Sequence, residues 1–229
     1  TPADGGSHLG NSIRRTSQGL VLTDFLAGTI ELSQDEGRTF RNVYKVYDNI
    51  LGMDFVDSVH GVAAAQFRNR SNKWVFTSDG GLTWHPSNYG TESWTVRGRK
   101  GTSIFIATPE GYSDINDYLT EVMRSDDYGM TWRKITTLPF RSASDVQFSG
   151  EALYVQTGPS PCPGCTYPDG YGIYRSLDSG KTWRGIGGPD YWADTRFGLV
   201  HDCKGTIIIC ADKDNNIYIT SELYPPSDG

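Results

Sequence analysis

One eight-residue spelling, Ser/Thr-x-Asp-x-Gly-x-Thr-Trp/Phe, recurs four times in this chain of 229 residues: SQDEGRTF at 33–40, TSDGGLTW at 77–84, SDDYGMTW at 125–132 and SLDSGKTW at 176–183. The copies start 44, 48 and 51 residues apart. A period of about 20–50 residues marks an array of stacked supersecondary units, because one such unit cannot bury its apolar face alone. One further step reaches Thr220-Ser221-Glu222 at the end of a strand-like run, where the spelling decays into Leu223-Tyr224-Pro225-Pro226. The chain therefore reads as five repeats, at 11–48, 49–90, 91–138, 139–192 and 193–229.

Each motif is preceded by the same succession of signals. A glycine (Gly19, Gly61, Gly101, Gly150 or Gly205) opens an apolar run, and before each glycine lies a short alternating segment, at 13–17, 53–59, 94–97, 143–148 and 196–200. Alternation of period two is the pattern of a half-buried strand. Each repeat then reads strand, glycine turn, strand, loop, strand, motif turn, strand, which is four short antiparallel strands. The spelling has a chemical reason. An Asp carboxylate can accept hydrogen bonds from N–H groups one or two residues on, and the Gly supplies the positive φ of a tight hairpin. The β-branched Thr suits the start of the returning strand. The aromatic is expected to point off that strand into the gap beside a neighbouring sheet, where burying a large ring is worth about 1.5–3 kcal/mol. Phe40, Trp84, Trp132 and Trp183 are thus expected to be wedges between sheets.

These motifs resemble Asp-boxes, the bacterial neuraminidase repeats of the sialidase-like superfamily, and the resemblance spans residues 19–221. It implies an all-β fold, a small β-propeller, with each box turning between the third and fourth strands of a blade on the face away from the ligand. Five repeats imply five blades of four antiparallel strands in one domain, 1–229, with the segment before Ile13 or the tail at Tyr224 completing the last blade. Such propellers include sialidases, other glycosidases, lectin-like modules, sorting receptors and photosystem assembly factors, so the box alone chooses no activity.

Aromatics at 12% and 27 glycines, with no helix-period segment of useful length, agree with an all-β chain. No apolar stretch approaches the roughly 20 residues of a membrane-spanning helix, so membrane insertion is not expected. The net charge of −6 without a Lys/Arg block lacks the electrostatic footprint of nucleic-acid binding. The chain opens on Thr1-Pro2-Ala3-Asp4, without Met or a signal sequence, and is expected to be a fragment of a longer protein. Of the four cysteines, Cys162 and Cys165 have the spacing of half a zinc site or a redox pair but no second pair at zinc-ribbon spacing; a loop-tightening disulfide or plain thiols fit better. Cys210 follows Ile207-Ile208-Ile209 and reads as a core residue.

In a propeller, the loops between second and third strands share a face with the connections between blades, opposite the boxes. These loops are short at 24–28, moderate at 68–72 and long at 109–118 and 158–171, and added length in repeat proteins maps to the binding side. The long loops carry Tyr112, Tyr118, Tyr167 and Tyr171, and the connections carry Tyr89, Trp94, Tyr191 and Trp192. Tyr and Trp join an apolar body to a polar edge, suited to stacking on sugar rings or anchoring a protein partner; packing the loops down is the alternative for each. Arg15, Arg97 and Arg196 lie on or beside first strands and could face the channel. Asp212, Asp214 and Asn216 have the alternating spacing that opens many calcium loops, without the Gly and distant Glu of an EF-hand. Ser113-Asp114-Ile115-Asn116-Asp117 is a second oxygen-rich cluster. A polar turn is the plain reading of each, and calcium is the metal to look for.

Kinship with sialidases would imply three arginines gripping a carboxylate, a Tyr–Glu nucleophile pair and an Asp acid/base on six blades. Here there are five repeats, the Arg-Ile-Pro signature is replaced at best by Ile13-Arg14-Arg15-Thr16, and no matching Tyr–Glu pair is found. The sequence therefore reads as a non-catalytic binding module for a carbohydrate or host receptor, engaged through the aromatic loops and Arg196. It resembles sugar-binding propellers and the receptor-binding heads of virus or phage spikes, of the corticovirus type. That resemblance implies an extracellular or virion-surface location, a cell-surface glycan or receptor as partner, and attachment to the rest of a spike or secreted protein. A sialidase-like glycoside hydrolase is the alternative.

Overall fold

Short, largely apolar runs joined by glycine turns and by the motif turns pair antiparallel in chain order in every repeat, as four described strands in the first four and three in the fifth. The structure, a computed structural model, describes residues 10–24, 27–45, 49–65, 74–90, 93–109, 120–138, 143–149, 151–157, 172–187, 196–202, 205–211 and 217–222. The first sheet is β1 (Gly10–Thr16), β2 (Gly19–Asp24), β3 (Thr29–Ser33) and β4 (Arg41–Lys45), paired in chain order. The second is β5 (Ile50–Phe55), β6 (Gly61–Ala65), β7 (Val75–Thr77) and the two-residue β8 (His85–Pro86). The third is β9 (Ser93–Gly98), β10 (Phe105–Pro109), β11 (Glu121–Ser125) and β12 (Arg133–Thr137). The fourth is β13 (Ala143–Ser149), β14 (Ala152–Thr157), β15 (Gly172–Ser176) and β16 (Arg184–Gly187). A fifth sheet has three described strands, β17 (Arg196–Asp202), β18 (Gly205–Ala211) and β19 (Ile217–Glu222). The described residues contain no helix, so none is long and apolar enough to cross a membrane.

The chain divides into two compact units, Thr1–Leu138 and Pro139–Gly229. In the first, the leading strands β1, β5 and β9 lie side by side. Val21, Ile30 and Leu32 of the first sheet pack with Ile50, Met53, Phe55, Ala63, Val75 and Trp84 of the second. Val56, Val62, Ala64 and Trp74 then pack with Val96, Phe105, Ala107, Met123 and Trp132 of the third. In the second unit, the fourth sheet buries Val146, Leu153 and Val155, and the fifth pairs β17 with β18 over seven residues.

Each motif turn is held by the same four bonds. In the first, Ser33 Oγ donates to Asp35 Oδ1 (2.8 Å) and accepts the Gly37 amide (2.8 Å); Asp35 accepts the Thr39 amide on Oδ1 (2.9 Å) and the Thr39 hydroxyl on Oδ2 (2.6 Å). The constellation recurs at Thr77, Asp79, Gly81 and Thr83, with distances of 2.5 to 3.0 Å. It recurs again around Asp127 and around Asp178. The carboxylate thus reaches the Thr four residues on rather than only the first one or two amides, and the leading Ser or Thr is the acceptor for the Gly. Hydrogen bonds from Thr39 hold the Asp35 carboxyl down to about 2, and those from Thr182 do the same for Asp178. Burial pushes Asp79 and Asp127 up, but the bonds from Thr83 and Thr131 outweigh it and leave both below the usual range.

The box tryptophans of the first unit sit where a wedge is expected, with Trp84 at 5% and Trp132 at 6% exposure. Trp84 meets Phe55 edge-on at 6.0 Å, and Trp132 meets Trp74 edge-on at 4.7 Å. Phe40 and Trp183 are only half-buried. The alternating segment at 53–59 also differs from expectation, because the strand ends at Phe55. Asp57 Oδ1 accepts the amides of Val59 (2.8 Å) and His60 (2.7 Å), and this side-chain turn competes successfully with the ladder.

Candidate functional site

Antiparallel order gives each four-stranded sheet two unlike ends. The turns between first and second and between third and fourth strands share one end with the boxes; the loops between second and third strands and the connections between sheets share the other. At the loop end of the first sheet the chain reverses tightly. Asp24 Oδ1 accepts the Ala27 amide (2.9 Å) and Asp24 O accepts the Gly28 amide (3.1 Å).

The loop end of the third sheet carries a built polar group. Tyr89, in the connection leading to β9, stands edge-on against Trp74 at 5.2 Å and 77°, and its carbonyl accepts the Trp74 amide (3.0 Å). Its hydroxyl donates over 3.5 Å to Glu121 Oε2, at the start of β11, while Lys134 Nζ of β12 donates to Glu121 Oε1 (3.1 Å). Burial first, and then the Glu121 charge, push the Tyr89 phenol up to about 12, so it stays a donor at neutral pH. Tyr89 is half-buried and takes part in the core beneath it as well as in this group.

Toward the box end of the leading strands lies a second centre. Asp54 of β5, 4% exposed, accepts Arg14 Nε of β1 (2.9 Å), the Gly98 amide of β9 (2.9 Å) and Lys100 Nζ (3.1 Å). Lys100 Nζ also donates to Phe55 O. Burial pushes the Asp54 carboxyl up, but Lys100, the Gly98 N–H and Arg14 together hold it below the ordinary range. It is therefore an ionised tie among three sheets.

Trp94 lies in β9 and Arg196 in β17. Tyr112, Tyr118, Tyr167, Tyr171, Tyr191 and Trp192 lie outside the described residues, as do the calcium candidates Asp212, Asp214 and Asn216, the 113–117 cluster, and Cys162 and Cys165. Of the arginines expected at the channel, Arg15 forms a two-pronged pair with Glu36 (3.0 and 2.6 Å), while its neighbour Arg14 reaches Asp54. Among the described residues no three His, Cys, Asp or Glu side chains gather as metal ligands would. Sequence reasoning missed Asp54 and Glu121. The signal for the first was a lone carboxylate between Met53 and Phe55 in an apolar strand, since buried acids are rare unless paired.

No protein-family model matches the chain. It is 28% identical over 136 residues to the xyloglucanase Xgh74A of Acetivibrio thermocellus, a match covering 57% of this chain and 16% of that protein. The chain thus matches only a small part of that relative's length. Among solved structures it resembles an auxiliary nutrient binding protein from Bacteroides thetaiotaomicron, with 12% identity, TM-score 0.63, and coverage of 93% of this chain and 55% of the other. It also resembles a GH74 xyloglucanase from Xanthomonas campestris, with 13% identity, TM-score 0.58, and coverage of 93% and 36%. A third likeness is to the extracellular domain of a Bacteroides thetaiotaomicron protein described as a hybrid two component system, with 12% identity, TM-score 0.63, and coverage of 99% and 28%. With the sheets described above, these likenesses give the chain an all-β fold of the β-propeller type.

Proposed function

We propose that this chain is a non-catalytic carbohydrate-recognition module that meets its ligand at the sheet ends opposite the boxes. The observation that carries the reading is the Tyr89–Glu121–Lys134 group: a phenol donor, a carboxylate acceptor and an ammonium set beside an aromatic edge. Sugar hydroxyls both donate and accept, and so match a mixed set of this kind, while the flanking aromatics would supply the apolar faces on which a ring lies. Trp94, Tyr112, Tyr118, Tyr167, Tyr171, Tyr191, Trp192 and Arg196 are proposed as the rest of that surface. The likeness to a nutrient binding protein and to xyloglucanases supports the ligand class, and the likeness to an extracellular domain supports an extracellular location. Narrower versions of the proposal make the ligand a host-cell glycan or receptor, the parent a virion spike, and calcium at Asp212, Asp214 and Asn216 a brace for the binding face.

A glycan array containing xyloglucan oligosaccharides, probed with calcium and with EDTA, tests the reading. Binding that falls for Tyr89→Ala and Glu121→Gln, without release of reducing ends, is expected; an array with no bound glycan removes it. Loss of binding in EDTA would support the calcium brace, and unchanged binding would remove it. A glycoside hydrolase is a second reading, favoured by the xyloglucanase identity. It requires two carboxyl groups about 5–9.5 Å apart. Asp54, ionised and committed to two cations, does not suit the role of general acid. Reducing ends released from xyloglucan would favour hydrolysis over recognition.

A further inference from the structure

The turn at residues 56–60 touches all three sheets of the first unit. Ser58 O accepts the Ser17 amide from the hairpin of the first sheet (2.8 Å), Val59 O accepts the Gly80 amide of the second box (2.9 Å), and Val56 O accepts the Gly101 amide from the third sheet (3.0 Å). His60 closes the turn. Its ring lies on that of Tyr128 in the third box, with centroids 3.9 Å apart and planes 25° from parallel, and its Nδ1 is 2.8 Å from Asp57 Oδ2. The other Asp57 oxygen is already held by two backbone amides, so the carboxylate is fixed before the imidazole meets it. Tyr128 has φ of 59°, a left-handed conformation that costs a bulky residue energy unless its surroundings compensate. The stack and the bond from the Tyr128 amide to Ser103 O (3.0 Å) do so.

We infer that this turn is a proton-responsive clasp: a proton taken up by His60 tightens the hold of the second sheet on the third box and, through the shared turn, on the hairpin of the first sheet. Both contacts of the ring favour the cation. An imidazolium N–H facing a carboxylate makes a charge-assisted bond, and a cation over an aromatic face is drawn to its quadrupole. His is the side chain whose ordinary titration falls between about pH 5 and 8. The neighbouring acids stay ionised across that window. Burial pushes Asp57 up, but the bonds from His60 and Val59 hold it below the usual range. Asp79 in the second box and Asp127 in the third lie below it as well. Asp126 is paired with Arg124 and Arg133, and it too lies below the usual range, burial notwithstanding. On the β9–β10 turn, Lys100 is bound to Asp54, and Arg99 is the other basic residue. The hairpin residues Ser17 and Gln18 carry no charge.

Amide hydrogen exchange on the whole chain, read as protection factors with the intrinsic pH dependence divided out, tests the clasp. The amides of Ser17, Gly80 and Tyr128 should gain about threefold to fivefold protection between about pH 8 and about pH 5.5. The amide of Val155, in β14, serves as the untouched control. In His60→Gln the gain should vanish, and in Tyr128→Leu, which keeps bulk without an aromatic face, it should shrink. Equal protection at both pH values in the natural chain, or the same gain persisting in either variant, would overturn the proposal. Since Tyr128→Leu acts on the opposite partner, failure of His60→Gln to fold leaves the test standing.

Discussion

Gly80 and Tyr128 hold the same place in the second and third boxes, one residue before the box glycine, and both have left-handed backbone, with φ of 76° and 59°. They close against the preceding sheet by opposite means. At Gly80 the hairpin of the first sheet comes down on bare backbone: Thr16 Oγ1 donates to Gly80 O (2.7 Å), and a Cβ there would lie 2.6 Å from Ser17 Oγ and 2.8 Å from Gln18 Cγ. At Tyr128 a ring fills that space and receives His60 on its face. The amide of each makes the same bond, to the first turn of its own sheet. One position therefore sets how far apart neighbouring hairpins stand, by closeness in one joint and by a stacked spacer in the other. The first device is free of charge and of side-chain strain. The second admits titration at the cost of a strained residue.

The largest effect expected of any single change is common to both joints. Trp84→Ala and Trp132→Ala should each lower the unfolding free energy by about 3–5 kcal/mol, the range for deleting a large buried aromatic; a denaturant titration showing a loss below about 1 kcal/mol for either would break the equivalence of the two wedges. Gly80→Ala comes next, at about 1–2 kcal/mol, because a left-handed backbone and two crowding side chains both oppose a Cβ. Its counterpart Tyr128→Gly should stay within about 1 kcal/mol of the natural chain, since relief of backbone strain offsets the lost stack. Equal losses for the two would show that the position is not used differently.

A finer contrast concerns the indole nitrogens. Trp132 Nε1 donates to Gly129 O (3.0 Å), whereas Trp84 Nε1 is buried without a hydrogen-bond partner. Trp132→Phe should therefore cost about 1 kcal/mol more than Trp84→Phe. Acid below about pH 5 gives the mildest response, through the box carboxyls that both joints share. The box carboxyls are depressed in the folded chain, so their contribution is present above the ordinary carboxylate range and fades as pH falls through the folded values, about 2 for Asp35 and Asp178. Thermal midpoints followed from pH 5 downward should drop mainly between about pH 4 and pH 2, and Asp35→Asn should flatten that drop slightly. A midpoint independent of pH over this interval would contradict the hydrogen-bond pattern.

How much was legible follows from the range of each interaction. The strands and the box turns are local: the leading glycines, the alternation and the Thr-Trp ending fix them within eight or ten neighbouring residues, and Trp84 and Trp132 are wedges as the spelling suggests. The half-burial of Phe40 and Trp183 is not in the spelling, because it depends on what lies against the sheet and not on the turn. Asp54 was hidden for a related reason. Its partners Arg14, Gly98 and Lys100 are some forty residues away on either side, and only the side-by-side placement of β1, β5 and β9 brings them together. Tyr89 was legible as an aromatic beside a loop, but its commitment to Trp74 and Glu121 needs the third dimension. At Arg14 and Arg15 the sequence offers two adjacent arginines, and strand pleating alone decides which one turns inward.

Each of the two buried box tryptophans reaches the sheet that precedes its own in the chain, Trp84 in one cluster with Val21 of the first sheet and Trp132 edge-on against Trp74 of the second. Within the first unit a plug from one repeat thus meets a socket in the repeat before it, and these two joints are head-to-tail. Head-to-tail contacts have a direction, and a row of them ends only by closing on itself or at a capped end. A duplication that copies one whole repeat in phase carries both halves of the joint with it and inserts without mending its neighbours. A duplication out of phase leaves a plug facing a plug. Growth or loss by whole repeats is therefore the genetic change these joints tolerate best.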